Sequence, residues 1–356
     1  MFYHRSLVSL ALLLLATGAC LNVRAAVDQP APNLPAERLE FGSVTIYSEN
    51  DKYFAGTDEH YTNGFKVSFL STDLASFTGG PVPLSVQRLA RTLGTLVPPG
   101  HAYKLGLSLG QNIYTPVNTA TAAYQPNDRP YAAWLYAGVA FQVYAPPQPS
   151  ARSLARLDAV EVTFGLVGPG ALGKQVQNNF HHLIDVAPAN GWSNQIHNEL
   201  GLNLVFDRTY RIATQNARDG FGADFLPHVG ISLGNIFTYA NAGAQVRVGW
   251  RLPADFGTNL IRATGDSNSV RRPPWSVFGF GAVDGRVVAH DVTIEGNTFR
   301  SSAGVKRETW VGDLIGGIAV GTQRWQITYA QAVRSDEFKG QPKAAVFGSI
   351  SITFFY

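Results

Sequence analysis

The sequence predicts an all-β membrane protein: a twelve-stranded antiparallel transmembrane β-barrel with a short helix in an extracellular loop. Only 15% of the 356 residues are charged and 45% are apolar, whereas a soluble domain has about 25% charged residues. Beyond the N-terminal segment, no apolar stretch approaches the roughly 20 residues that a membrane helix needs. Several segments instead alternate between apolar and polar side chains, which is typical of strands that face lipid on one side and a polar lumen on the other.

The first 25 residues have the layout of a secretory signal peptide, which leaves residues 26–356 for the barrel. His4 and Arg5 precede an apolar run from Leu7 to Ala19, and small residues follow it. The segment contains two arginines and no acids, so its removal changes the totals from 28 basic and 25 acidic residues to 26 and 25. A net charge near zero gives no support for a nucleic-acid partner.

The last strand shows the alternation most clearly. Ile350, Ile352 and Phe354 fall on one face, and serines and a threonine fall on the other. The aromatic C-terminal residue, Tyr356, resembles the C-terminal recognition signal of bacterial outer-membrane barrels. An earlier segment repeats the pattern, with one face formed by Tyr61, Phe65, Val67 and Phe69 and the other by Thr62, Lys66 and Ser68.

The same reading predicts twelve strands, an even number, as single-chain outer-membrane barrels have. They lie near residues 40–49, 61–71, 102–114, 130–145, 157–168, 195–207, 224–238, 243–252, 275–289, 304–321, 323–334 and 344–356. If the chain starts in the periplasm, the connections after odd-numbered strands emerge at the cell surface. Residues 72–101 and 253–274 then become long periplasmic connections, and four leucines, Leu84, Leu89, Leu93 and Leu96, predict a helix in the first.

The segment from Ala171 to Asp185 breaks the two-residue period and predicts a helix after the fifth strand. Four apolar side chains fall within an arc of about 80°, namely Leu172, Val176, Phe180 and Leu183. Gln177 and His181 lie four residues apart on the polar side and are therefore neighbours on the helix surface. Periodicity alone allows two interpretations, a solvated polar face or a polar face held against the rim of the barrel.

Several motifs, in this order and spacing, resemble the lipid A 3'-O-deacylase family of outer-membrane enzymes. They are Glu49-Asn50-Asp51, Tyr61-Thr62-Asn63-Gly64, Gly110-Gln111-Asn112-Ile113-Tyr114-Thr115-Pro116, Asp128-Arg129-Pro130-Tyr131, Val167-Gly168-Pro169, Val176-Gln177-Asn178, His181, and Gly191-Trp192 with Gln195. The resemblance implies a twelve-stranded barrel in the outer membrane, with a calcium-dependent hydrolytic site between the barrel wall and the extracellular helix. Such an enzyme removes the 3'-linked acyloxyacyl group of lipid A, the membrane anchor of lipopolysaccharide.

By the same resemblance, five residues match active-site positions of the family: Asn50, Asp51, Thr62, Gln177 and His181. Ester hydrolysis needs a base that deprotonates water and a group that stabilises the oxyanion. His181 suits the role of base, and Gln177, one helical turn earlier, could orient it or the substrate. Asp51, with Asn50 and Thr62, offers the oxygen ligands that Ca²⁺ prefers. Catalytic roles are thus expected for His181, Gln177, Asn50 and Thr62, and metal ligation for Asp51, Asn50 and Thr62.

Two alternatives remain at this stage. His60-Tyr61-Thr62-Asn63-Gly64 resembles the His-x-Ser-Asn-Gly segment of outer-membrane phospholipase A, which would make Thr62 the nucleophile. A non-catalytic barrel, acting as a pore or an adhesin, is the other alternative. The polar motifs gather at the surface rim, whereas a pore needs charged residues along its lumen, and this contrast favours the enzyme.

Overall fold

The computed structural model describes residues 39–53, 60–94, 100–147, 154–183, 185–214, 217–257 and 272–356. They form a closed barrel of twelve antiparallel strands in which sequential strands are neighbours and the first strand pairs with the last. The predicted fold class is therefore confirmed. The predicted signal peptide lies outside the described residues and stays a prediction.

The strands agree with the predicted set in number and order. Their bounds are β1 Phe41–Asn50, β2 His60–Ser71, β3 Ala102–Thr115, β4 Ala132–Ala145, β5 Ala155–Val167, β6 Glu199–Ala213, β7 Phe221–Gly234, β8 Phe237–Trp250, β9 Trp275–Asp291, β10 Trp310–Thr322, β11 Trp325–Arg334 and β12 Ala345–Phe355. The tenth strand starts six residues later than predicted, because residues 304–309 belong to the loop before it.

Within the described residues, three α-helices lie in the connections: α1 Leu84–Thr92, α2 Gly173–Leu183 and α3 Val292–Glu295. Two 3₁₀ turns, Pro169–Ala171 and Gly191–Asn194, flank α2. Both predicted helices are present, although Leu96 lies outside the described residues. Among the described helices, none has the length and apolar character needed to cross a membrane.

The two faces of the wall can be assigned from β3. Leu107 and Leu109 are exposed, and side chains alternate along a strand, so Leu105 and Ile113 also point away from the lumen. Both are nevertheless only 1% exposed. Leu105 is buried in a cluster with residues of α1, and Ile113 is buried in a cluster with Ala171 and Trp192 beside α2. The outer wall is therefore covered at both ends, by α1 at one and by α2 at the other.

Aromatic and charged side chains occupy the lumen. The Tyr61 ring lies 5.4 Å from the ring of Tyr114 and 5.0 Å from that of Phe347. Arg129 is fully buried and donates to Glu337 at 3.1 Å. A cavity of about 140 Å³ remains in this region, lined by acidic and basic residues together. Charged side chains of both signs therefore line the lumen, a feature that the enzyme and the pore alternatives share.

A β-bulge in β2 corrects one predicted alternation. The pairing with β3 shifts between Tyr61 and Asn63, which leaves Thr62 as the extra residue. Tyr61 was expected to share a face with Phe65, but it is 4% exposed and donates a hydrogen bond to Glu49 inside the barrel. A bulge re-aims side chains relative to strict alternation. The two-residue period alone does not reveal it.

Candidate active site

The bulge turns Thr62 toward the outer face of the wall at the end that carries α2. Its hydroxyl lies 2.7 Å from the hydroxyl of Thr115, which is two residues beyond the outward-facing Ile113. Thr62 is 3% exposed and Thr115 is completely buried. The expected lumen-facing position of Thr62 is therefore wrong, and two hydroxyl oxygens meet on the outer side of the rim.

β1 brings Asn50 and Asp51 to the same end. Asn50 pairs with Asn63 across β1 and β2, next to the bulge. Its Oδ1 accepts a hydrogen bond from the backbone N–H of Lys52 at 2.8 Å, an Asx turn that fixes the chain as it leaves the strand. Asp51 follows directly and is only 1% exposed. A carboxylate buried to this degree needs compensation by charge or hydrogen bonds.

The connection after β5 positions α2 above this rim. Gly168 has a φ of +91°, a conformation that glycine adopts readily, and a Cβ there would lie 2.5 Å from the backbone of His197. Pro169 then starts a 3₁₀ turn. Gln111 of β3 donates to the carbonyl of Ala171 at 2.6 Å and so ties the turn to the wall. The motif residues before α2 thus set its entry angle.

The buried stripe of α2 is polar. Gly173, Gln177 and His181, spaced four residues apart, are its buried residues, and α2 contacts β3 and β4. Of the two sequence interpretations, the structure selects the polar face held against the barrel. The four apolar residues of the predicted arc, Leu172, Val176, Phe180 and Leu183, are instead exposed.

A tryptophan fixes the amide of Gln177. The indole N–H of Trp192 donates to Gln177 Oε1 at 2.8 Å. Because an indole nitrogen can only donate, the carbonyl end of the amide must face it. The Nε2 group is then directed elsewhere, and it is buried with no hydrogen-bond acceptor within the described structure. Gln177 therefore presents two unused N–H donors beneath the helix, suited to a substrate oxygen or an oxyanion.

A backbone carbonyl fixes the tautomer of the neutral His181 ring. Its Nδ1 lies 2.8 Å from the carbonyl oxygen of Ala187. A carbonyl can only accept, so Nδ1 carries the proton and the neutral ring has its lone pair on Nε2. The ring is 3% exposed. A histidine held in this tautomer can accept a proton at Nε2, the property that a general base needs.

Other motif residues build the scaffold. Asn178 makes two hydrogen bonds with the backbone of Ala189. It accepts one from the N–H at 2.9 Å and donates one to the carbonyl at 3.3 Å. The ring of Tyr131 lies 5.0 Å from that of Trp192. Asp128 accepts from the backbone N–H of Val117 at 2.8 Å. The contacts of Asn178 and Tyr131 hold the chain after α2 in place, where it supplies both Trp192 and the Ala187 carbonyl, and the contact of Asp128 braces the β3–β4 connection.

All five residues singled out by the resemblance are thus buried, at the end of the barrel that carries α2. Three groups that contact these residues were not predicted as part of the site: Trp192, Thr115 and the Ala187 carbonyl. The first two lie inside motifs that the sequence already marks. No side-chain pattern marks a carbonyl, so the sequence held no signal for Ala187.

Comparison with known proteins agrees with this architecture. The family model described as "Outer membrane protein LpxR" matches residues 10–356. LpxR from Salmonella typhimurium is similar, with a TM-score of 0.69 and 20% identity over 88% of this chain and 100% of that chain. The β-domain of the Bordetella autotransporter BrkA has a TM-score of 0.41 and 7% identity over 88% of this chain and 98% of that chain. A search of curated proteins finds no match.

The likeness to the Salmonella structure, at 20% identity, supports the barrel fold. The family match is broader evidence because it extends along nearly the whole chain. It places the protein in the outer membrane, with the α2 end at the extracellular side. The chain therefore belongs to the LpxR family of outer membrane proteins.

Proposed function

We propose that the protein is a calcium-dependent carboxylic ester hydrolase that removes the 3'-O-linked acyloxyacyl group of lipid A in the outer leaflet. Family membership supports lipid A deacylation in the outer membrane. The observation that carries the finer proposal is the buried polar stripe of α2, because Gln177 and His181 are turned toward the outer wall instead of toward solvent. A site outside the lumen is accessible to a lipid that diffuses in the membrane plane.

His181 acts as the base in this proposal. Its Nε2 takes a proton from water, the water oxygen attacks the ester carbonyl, and the proton passes to the leaving 3'-oxygen. The products are the free 3'-hydroxyl and one acyloxyacyl carboxylic acid. Two acyl chains leave together because the cleaved bond joins the primary chain to the sugar. The Ala187 carbonyl keeps the ring in the tautomer that this step needs.

Gln177 and the oxygen-rich rim stabilise the negative charge that develops on the ester carbonyl oxygen in this proposal. The two N–H donors of Gln177 suit the oxyanion, and donors of this kind contribute about 10²- to 10³-fold in rate. The oxygens of Asn50, Asp51 and Thr62 fit Ca²⁺, a hard cation that takes carboxylate, carbonyl and hydroxyl oxygens. When bound, Ca²⁺ supplies positive charge that stabilises the oxyanion. Ca²⁺ prefers oxygen to nitrogen or sulfur ligands, and each of the three residues offers a side-chain oxygen.

The structure gives little support to the phospholipase alternative. The hydroxyl of Thr62 is hydrogen-bonded to Thr115, whereas a threonine nucleophile needs a base as its partner. The side chain of His60 lies outside the described residues. A product analysis separates the two activities, because a phospholipase releases lysophospholipids and leaves lipid A intact.

The purified protein in mixed micelles, given hexa-acylated lipid A, tests the proposal. With Ca²⁺ we expect a product lighter by one acyloxyacyl unit, and with a chelator we expect none until Ca²⁺ is restored. Asp51→Ala should behave like the chelated enzyme at ordinary calcium concentration. Full activity in the chelator would refute the metal role, and loss of a single acyl chain would identify a different ester bond.

A further inference from the structure

Helix α1 covers the outer wall at the periplasmic end, opposite the candidate active site. Leu105 and Phe141 occupy outward-facing positions but are 1% and 0% exposed. The segment that contains α1 buries them through Phe77, Ala90 and Leu93, and the Phe77 ring lies 5.1 Å from that of Phe141. Since the outside of the wall is lipid, α1 lies beside the inner leaflet.

The opposite face of α1 is basic and apolar. Arg88 and Arg91 are exposed, and the helix sequence LSVQRLART contains no acidic residue. Leu84, at the start of the helix, is 71% exposed. A helix with arginines beside exposed apolar residues is typical of segments that lie in the headgroup region of a membrane.

The adjoining wall adds two more arginines. On the outer face Asp158 is held between Arg156 at 2.7 Å and Arg208 at 2.5 Å. The guanidinium of Arg208 lies over the ring of Phe206, which packs against the same cluster as α1. Arg156 and Arg208 keep about a quarter to a third of their side chains exposed, at 26% and 30%.

The charges of this surface do not cancel. Lys104 pairs with Asp73 at 3.4 Å and adds no net charge. Among the residues that the structure describes, Asp158 and the exposed Glu40 offset two of the four arginines, which leaves an excess of two positive charges. Guanidinium groups bind phosphate oxygens in a bidentate manner and stay charged at every physiological pH.

We propose that this surface, defined by Arg88, Arg91, Arg156 and Arg208, binds the headgroups of anionic phospholipids in the inner leaflet. The phosphates meet the guanidinium groups, and Leu84 extends toward the acyl region. The occupant is a phospholipid because the surface lies outside the barrel at bilayer depth and combines positive charge with apolar residues. This inference does not rest on the proposed hydrolytic activity, which belongs to the other leaflet.

The test uses the full-length protein in micelles that contain equal amounts of phosphatidylglycerol and phosphatidylcholine with identical chains. Native mass spectrometry measures the ratio of the two lipids that stay bound. We expect the wild type to prefer phosphatidylglycerol. In the double variant Arg88→Gln/Arg91→Gln, the ratio of bound phosphatidylglycerol to phosphatidylcholine should fall by about fivefold for each arginine removed. This factor corresponds to the roughly 1 kcal/mol that a basic residue contributes at an anionic membrane surface. Arg88→Lys/Arg91→Lys should keep most of it.

Arg300→Gln/Lys306→Gln is the matched control, because it removes two exposed positive charges at the extracellular end. It should leave the ratio unchanged. An absent preference in the wild type, an unchanged ratio in the α1 glutamine variant, or an equal loss in the control would each overturn the proposal. If α1 instead docked a periplasmic protein, the lipid ratio would be unchanged in the α1 glutamine variant. Lipid A hydrolysis, measured on the same samples, reports separately on the proposed function.

Discussion

At the scale of single residues, the chemistry of the site depends on which atom each neighbour engages. Sequence motifs identified His181 and Gln177, because both stand on the polar side of a helix in a recognisable context. The partners that orient them come from the segment after the helix, through a carbonyl and an indole N–H. Those contacts depend on how that segment folds back, which no local pattern specifies.

Replacing His181 with asparagine should lower the rate of lipid A hydrolysis by about 10²- to 10⁴-fold, because a positioned general base contributes that much. His182→Asn is the matched control, since His182 is the next residue and is exposed. Initial rates with purified variants check this. Heat-modifiable migration on a semi-denaturing gel shows that each barrel has folded. Equal loss in both variants would remove His181 from the role of base.

Trp192 should act through Gln177. Trp192→Phe keeps an aromatic ring beside Tyr131 but removes the N–H that fixes the amide. We expect kcat to fall with little change in KM, because the oxyanion donors lose their orientation while substrate contacts persist. In a Gln177→Ala background the same change should cost nothing further. Additive losses across this double-mutant cycle would instead assign Trp192 a purely structural role.

At the scale of elements, α2 reverses the usual arrangement of an amphipathic helix. Its apolar arc is exposed and its polar stripe is packed against the wall. In water this would be unfavourable, but a helix on the outside of a membrane barrel has lipid beside it, and its apolar residues need no core. The sequence predicted the helix and its two faces correctly. It did not predict which face is buried, because periodicity does not identify the surrounding solvent.

Gly173 lets α2 approach the wall closely. A Cβ at this position would lie 2.5 Å from the Cβ of Ala133 and 2.6 Å from the Trp192 ring, so Gly173→Ala must displace the helix. We expect at least a tenfold loss of hydrolysis with a normal folded-to-unfolded gel shift, because 1 Å misplacements cost about 10²-fold. Gly79→Ala, where nothing lies within 4 Å, should be neutral. Unimpaired Gly173→Ala activity would contradict the close packing of α2.

At the scale of the whole molecule, composition and alternation predicted the class, number and order of strands. Strand bounds were less exact, since β6 ends six residues later and β8 starts six residues earlier than predicted, and two further exceptions are informative. The bulge at Thr62 inverted the expected faces of Tyr61 and Thr62, and the start of β10 moved by six residues because of the loop before it. Both follow from pairing and loop contacts across the barrel, which a single strand's sequence does not contain.

Charges at the extracellular mouth should make the barrel sensitive to acid. Glu337 lies in the β11–β12 connection; burial by itself raises its pKa, but Arg129 and Arg334 hold that pKa below its ordinary value. The stabilisation is therefore complete above the unfolded pKa of about 4.3 and is lost as pH falls through the lower folded value. Wild-type Tm should drop more steeply below about pH 4 than that of Glu337→Gln.

At neutral pH, Glu337→Gln should lower Tm, because it leaves buried Arg129 without its carboxylate, a loss of about 3–5 kcal/mol. Glu308→Gln is the comparison, since its partner Lys339 is 55% exposed and surface pairs contribute at most about 1 kcal/mol. Thermal unfolding in detergent, followed by circular dichroism between pH 3 and 7, measures both. Identical pH profiles for wild type and Glu337→Gln would show that this carboxyl does not stabilise the mouth.

The central claim is that a site on the outer wall beneath α2 hydrolyses lipid A. Its most direct test is the mass spectrum of lipid A from cells that make hexa-acylated lipid A and express this protein. We predict a species lighter by one whole acyloxyacyl unit, present with the wild type and absent with His181→Asn at equal barrel levels. Unchanged lipid A in calcium-replete cells, with the folded barrel present, would contradict the claim.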